Sequence, residues 1–223
     1  EWKIAGEQGK PAWCYYENKT ENGKIYGKLY NWYAVSDPRG LAPEGWHIPS
    51  FEEWTELTKI LGGRNQAGGK LKALTNWNNP NKGATNEFKF NALPGGTRKF
   101  IPSGVTFTGD FVGINAYGDW WTTTKSTGLK NSANFQQITY DAGFVYTNET
   151  NFGSGKSVRC VKLISQSNES NKYSSIKIGN QEWMSENLNV SHFRNGDPIP
   201  EAKTNEEWKI AGEQGKPAWC YYE

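Results

Sequence analysis

The 223 residues are enough for one well-buried core, or for a core with an arm. Lys and Arg number 25 against 23 Asp and Glu, a balance with no electrostatic footprint for nucleic acid or an anionic membrane. Only 35% of residues are hydrophobic but 14% are aromatic, eleven of them Trp. The core must therefore rest on a few large rings, and no apolar run approaches the roughly 20 residues of a membrane-spanning helix.

The first and last seventeen residues are identical: EWKIAGEQGKPAWCYYE stands at 1–17 and again at 207–223, an offset of 207 − 1 = 206. An unsubstituted match of that length predicts a tandem array whose period is the size of a domain. Thr204 and Glu207 form a capping box ahead of the second copy, each side chain satisfying the other's backbone N–H. The first copy lacks the cap, so the chain is expected to open inside a helix. Cys220 is then the second copy of Cys14, and each period holds two cysteines, Cys14 and Cys160. Two per domain suggests one disulfide in an oxidising compartment; two buried thiols are the alternative. Cys14–Cys160 and Cys160–Cys220 differ by less than about 1 kcal/mol in loop entropy, so both pairings stay open.

Between the copies, Tyr26–Val35 reads as a buried strand or short helix, and Asp37–Gly40 as a turn. The clearest helix follows. Ser50 caps it with Glu53 three residues on, Trp54, Leu57 and Leu61 mark one face with Phe51 and Ile60 beside it, and Gly62-Gly63 ends it. Gly68-Gly69 opens a shorter helical segment over Lys70–Leu74, and Asn76–Asn86 is an Asn-rich loop. Val105–Phe111, Trp120–Lys125, Asn134–Tyr140, Gly143–Thr147 and Ser157–Leu163 alternate as short antiparallel strands. Gln166–Ser175 is a polar linker. Ile176–Ile178 and Gln181–Trp183 form a hairpin around Gly179-Asn180, and His192–Pro200 is turn-rich. The chain divides into a main body at 1–164, a linker at 165–175 and an arm at 176–223 that belongs to the same or the next repeat. The natural domain is thus circularly rotated relative to the numbering.

Read in that rotated order, the chain resembles the Fibrobacter-type major paralogous domain. The runs that carry the likeness are IGNQEWMSENL at 178–188, FRNGDPIP at 193–200, PAWCYYE at 11–17 and 217–223, YGKLYNWYAV at 26–35, RGLAPEGWHIPSFEEW at 39–54, GATNEFKFNALPGGTR at 83–98 and SVRCVK at 157–162. They span nearly the whole period. The resemblance implies a bacterial protein of the cell surface or extracellular space, often present in repeats. The GWHIPS…EW and closing SVRCVK runs also look like the C-type lectin fold shared with formylglycine-generating enzymes. That implies an α+β architecture with two main helices, small antiparallel sheets and long irregular loops, its first and last strands paired near the termini.

Calcium needs six to eight oxygen ligands. The Asn76–Asn86 loop, Glu87 and Asp119 could supply some, but the sugar-binding tripeptides of C-type lectins are absent and turn formation accounts for the Asn residues. No cofactor is expected beyond a conceivable structural calcium. Trp77, Tyr117, Trp120 and Trp121 could stack on sugar rings, with Asn86, Glu87, Arg98 and Asp119 as polar partners; core packing and a structural salt bridge are the competing accounts. His47 and His192 are the only histidines and lack metal spacing, no nucleophile elbow is present, and only Cys160 lies where formylglycine-generating relatives carry two cysteines. No catalytic or metal residue is therefore expected. The leading expectation is an extracellular structural or adhesive module that assembles head to tail with copies of itself. A donated arm would be anchored by Trp183, Met184 and Leu188, with sheet pairing by Ile176 and Ile178. The alternatives are a glycan-binding module and, more remotely, an enzyme.

Overall fold

The computed structural model describes residues 5, 8–100, 110–163, 172–199 and 201. Among the described residues, four short α-helices and ten strands, with one 3-10 turn at Tyr16–Asn18, give a mixed α+β fold. In chain order they are β1 (Trp13–Cys14), α1 (Thr20–Tyr26), β2 (Leu29–Tyr30), α2 (Trp32–Val35), α3 (Phe51–Ile60), α4 (Arg64–Leu71), β3 (Gly95–Arg98), β4 (Phe111–Ile114), β5 (Tyr117–Lys125), β6 (Ser132–Thr139), β7 (Tyr146–Asn151), β8 (Val161–Leu163), β9 (Ser175–Ile178) and β10 (Gln181–Met184). The strands form a two-stranded sheet β1-β2, a three-stranded sheet β8-β10-β9 and a five-stranded sheet β4-β3-β5-β6-β7. Pairing is antiparallel except for one parallel step between β3 and β5.

α3 forms where its sequence signals it. Ser50 accepts from the Glu53 N–H at 3.2 Å and Glu53 accepts from the Ser50 N–H at 2.8 Å, which satisfies two donors that a helix start leaves open. Trp54, Leu57 and Leu61 are buried, while Ile60 faces solvent. α4 departs from expectation: it begins at Arg64 and runs through Gly68-Gly69 to Leu71. Glycine is a poor helix former, but here its missing Cβ admits backbone. A Cβ at Gly68 would lie 2.3 Å from the Phe144 carbonyl oxygen, and one at Gly69 2.2 Å from that of Gly83. In Tyr26–Val35 both readings hold in part. β2 pairs with β1, then Asn31 caps α2 by accepting from the Ala34 N–H at 3.1 Å.

Two large clusters and one small one fill the interior. One is built around Trp13, Tyr30, Trp32 and Trp121, another around Trp54, Phe90, Trp120 and Trp183, and the third around Cys14, Tyr16 and Leu29. The rings do most of the packing, as a Trp-rich, aliphatic-poor chain requires. Among the described residues, no helix is long and apolar enough to cross a membrane. Cys14 and Cys160 sit in different clusters as free, buried thiols, so a disulfide between them is not formed. Burial pushes Cys14 up to about 11, against the pull of Arg98, and Cys160 up to about 12. Cys220 and the Thr204–Glu207 cap lie outside the described residues, as do 165–171 of the linker.

Candidate assembly interface

The hairpin β9–β10 forms because Gly179 takes φ 62° in its two-residue loop, a conformation natural to glycine. Its register places Gln181 opposite Ile178 and Trp183 opposite Ile176. β10 also pairs with β8, Gln181 opposite Leu163 and Trp183 opposite Val161. The arm thus supplies the central strand of the three-stranded sheet and closes the body of its own chain.

Side chains alternate across β10 and enter both large clusters. Trp183 is fully buried, 5.0 Å from Trp54 and 5.7 Å from Phe90 between ring centroids. Ile178 joins the same cluster, with Ile176 half-buried against it. Met184 and Leu188 lie in the other, followed by Phe193 and Ile199. The five residues assigned to arm anchoring therefore all meet the body.

Sequence reading missed the polar half of the contact. Asn187 is buried, and its Oδ1 accepts from Trp120 Nε1 at 2.9 Å and from Arg159 Nη2 at 2.7 Å, while its Nδ2 donates to the Tyr26 carbonyl at 2.9 Å. Arg159 is fully buried and also donates to the carbonyls of Phe90 at 2.5 Å and Met184 at 3.1 Å. Burial holds its guanidinium down to about 9. Lys28 Nζ donates to Asn189 Oδ1 at 2.7 Å over the Trp13 ring, and burial lowers it to about 8. The Tyr30 hydroxyl donates to the Val190 carbonyl at 2.8 Å and accepts from its N–H at 2.9 Å. Lys162 and Glu182, partners in the β8–β10 register, form a buried ion pair at 3.6 Å. Lone buried polar residues of this kind have no periodic signature; the IGNQEWMSENL run held Asn187 without marking it.

The residues proposed for ligand contact are scattered. Trp77, Trp120 and Trp121 are interior, with indole N–H groups bound to the Ala92 carbonyl, Asn187 and the Tyr30 carbonyl; none offers a ring face to solvent. Asn86 accepts from the Asn91 N–H within its own loop at 2.9 Å, and Glu87 is exposed 3.6 Å from Lys70. Arg98 is buried against the Phe111 ring. Asp119 is buried and paired with Lys156 at 2.7 Å on the floor of an open pocket of about 410 Å³ across the five-stranded sheet. His47 Nε2 meets Glu53 at 2.6 Å at the start of α3. Burial would raise Glu53, but His47 and the Ser50 N–H hold it below the usual range. Among the described residues no group of three or more His, Cys, Asp or Glu could hold a metal ion.

A family model for the Fibrobacter succinogenes major domain matches residues 3–162. The chain belongs to that family. No curated protein and no solved structure matches it.

Proposed function

We propose that this chain is one period of an extracellular, bacterial structural or adhesive assembly whose bodies are joined head to tail by the arm. One observation carries the reading. The central strand of a sheet and the anchor of a core, β10 and Trp183, come from a segment that follows the body in sequence and lies beyond a connecting segment. An identical arm from a neighbouring period presents the same strand and the same ring to the same groove. Exchange of that kind makes a heterologous contact that repeats without closing.

Cysteines at the paired positions Lys162 and Glu182 test it. Lys162→Cys chains are mixed with Glu182→Cys chains, unfolded, refolded together and oxidised. Disulfide-linked pairs of chains support donation. Linkage confined to the double variant, within single chains, overturns it.

A second reading, a glycan-binding surface module, is favoured by the pocket over Asp119. Buried ion pairs add little to stability over apolar packing, yet Lys156 and Asp119 pair beneath an opening lined by Thr97, Tyr117 and Gln137. Binding to a glycan array that survives Tyr117→Ala and Gln137→Ala removes this site.

A further inference from the structure

One ion pair of the body is held in a geometry that does more than pair charges. Asp119 on β5 and Lys156, ahead of β8, are 1% and 3% exposed, with Nζ 2.7 Å from Oδ2. Backbone pairing fixes both ends. The Ser157 N–H donates to the Asp119 carbonyl at 3.0 Å and the Trp121 N–H to the Ser157 carbonyl at 3.1 Å, while Lys156 exchanges two hydrogen bonds with Tyr30 at 3.0 and 2.8 Å. On the other side of β5, Gln137 stands opposite Asp119 in register, and its Nε2 donates to Oδ1 at 2.9 Å. Each carboxylate oxygen therefore has its own donor. The ammonium lies 3.6 Å from the centroid of the Phe135 ring and donates to Thr97 Oγ1 at 3.2 Å. Burial lowers Lys156 from its ordinary value against the pull of Asp119, which brings the free amine within easier reach. The other buried pair, Lys162 and Glu182, stands wider at 3.6 Å, with the Ser175 hydroxyl on its carboxylate at 2.6 Å.

An Nζ in contact with Oδ2 stands about 3.5 Å from the carboxyl carbon, at the outer edge of a near-attack pair. We infer that Lys156 and Asp119 condense to an amide, so that the body carries a covalent cross-link between β5 and the segment ahead of β8. The step balances. Lys156 gives one proton to Oδ2, and the lone pair of its amine attacks Cγ. The carbonyl electrons move onto Oδ1, where the Gln137 N–H holds the oxyanion. A second proton passes from the nitrogen to Oδ2, the Cγ–Oδ2 bond breaks, and water leaves into the open pocket above. Nothing is oxidised or reduced. The product also removes two buried charges, whose desolvation an ion pair only partly offsets. The arm supplies neither partner. Its far end meets the body where the Ile199 carbonyl accepts from the Trp13 indole N–H at 2.8 Å and Glu201 bridges Trp13 in parallel, so the cross-link forms whichever chain the arm comes from.

The intact mass of the full chain, unfolded and reduced after purification, tests this. The expected mass lies below that of the sequence by one water. Trypsin does not cut at an acylated lysine, so digestion is expected to join residues 100–125 to residues 131–159 in one branched peptide. Lys156→Arg keeps a cation beside Asp119 but has no amine to condense, and it is expected at its full sequence mass. A wild-type chain at its full sequence mass overturns the inference. So does a loss of water that persists in Lys156→Arg, or a digest in which residues 131–156 end at a free Lys156. Both wild-type readouts need no variant, so they decide the matter even where Lys156→Arg fails to fold.

Discussion

Replacing Trp183 with Ala removes the ring that the arm drives between Trp54 and Phe90. The ring is fully buried, so about 200 Å² of apolar surface is lost, and at about 25 cal/mol per Å² the transfer cost is about 5 kcal/mol. Extended-chain areas overstate burial, and measured Trp or Phe to Ala changes in cores run about 3–5 kcal/mol, so about 4 kcal/mol is expected. With a urea slope of about 2.5 kcal/mol per M, the midpoint falls by about 1.6 M. Leu163→Ala, at a side chain 38% exposed on the neighbouring strand, is the control and shifts it little. Equilibrium unfolding followed by far-UV circular dichroism measures both. Equal small shifts for the two variants would show that the arm is not part of the cooperative core, and the packing argument would fail.

Asn187→Leu strands the Trp120 N–H and part of a buried guanidinium, and at about 1–3 kcal/mol for each unsatisfied group the variant loses about 3–5 kcal/mol; calorimetry checks it. Glu182→Leu leaves Lys162 buried without its carboxylate and costs about 3–5 kcal/mol, whereas Lys162→Met/Glu182→Leu comes close to wild type, a contrast read by the denaturation midpoint. Gly68→Ala forces a Cβ to 2.3 Å from the Phe144 carbonyl oxygen and costs about 1–3 kcal/mol, seen as a lower melting temperature. Burial pushes the Cys160 thiol from the ordinary 9.0 up to about 12 in the fold. Its stabilisation is complete below pH 9 and is lost as pH rises toward 12, at about 1.4 kcal/mol per pH unit. Cys160→Ala therefore flattens the alkaline limb of a stability–pH curve, and an unchanged limb refutes the assignment.

What the sequence disclosed was whatever has a local signature. The capping box at Ser50 and the Gly179-Asn180 hairpin are decided within a few residues, and both stand in the fold. Gly68-Gly69 misled for a tertiary reason. Local propensity marks two glycines as a break, but the approach of two carbonyl groups needs the space. Trp120 and Trp121 invited a surface role because aromatic rings stack on sugars, with core packing as the competing account. β5 lies inside the sheet with a cluster on each side, so both rings are buried. The arm's anchors were legible as apolar residues in a hairpin. Their polar partners, Asn187 and Arg159, depend on distances between segments 28 residues apart, and no local pattern reports those.

The bridge between Trp13 and Glu201 bears on how the body would respond to an applied pull. Tension drawn along the chain arrives through the segment before Trp13 and departs through the segment after Glu201. Those points sit one strand spacing apart, about 5 Å, and the two segments run in the same direction. Pulling therefore slides one segment along the other rather than peeling them apart. The force enters through Trp13, Tyr30 and Ile199, which belong to one of the two large clusters, so that cluster resists the pull before the one around Trp54 and Trp183 does.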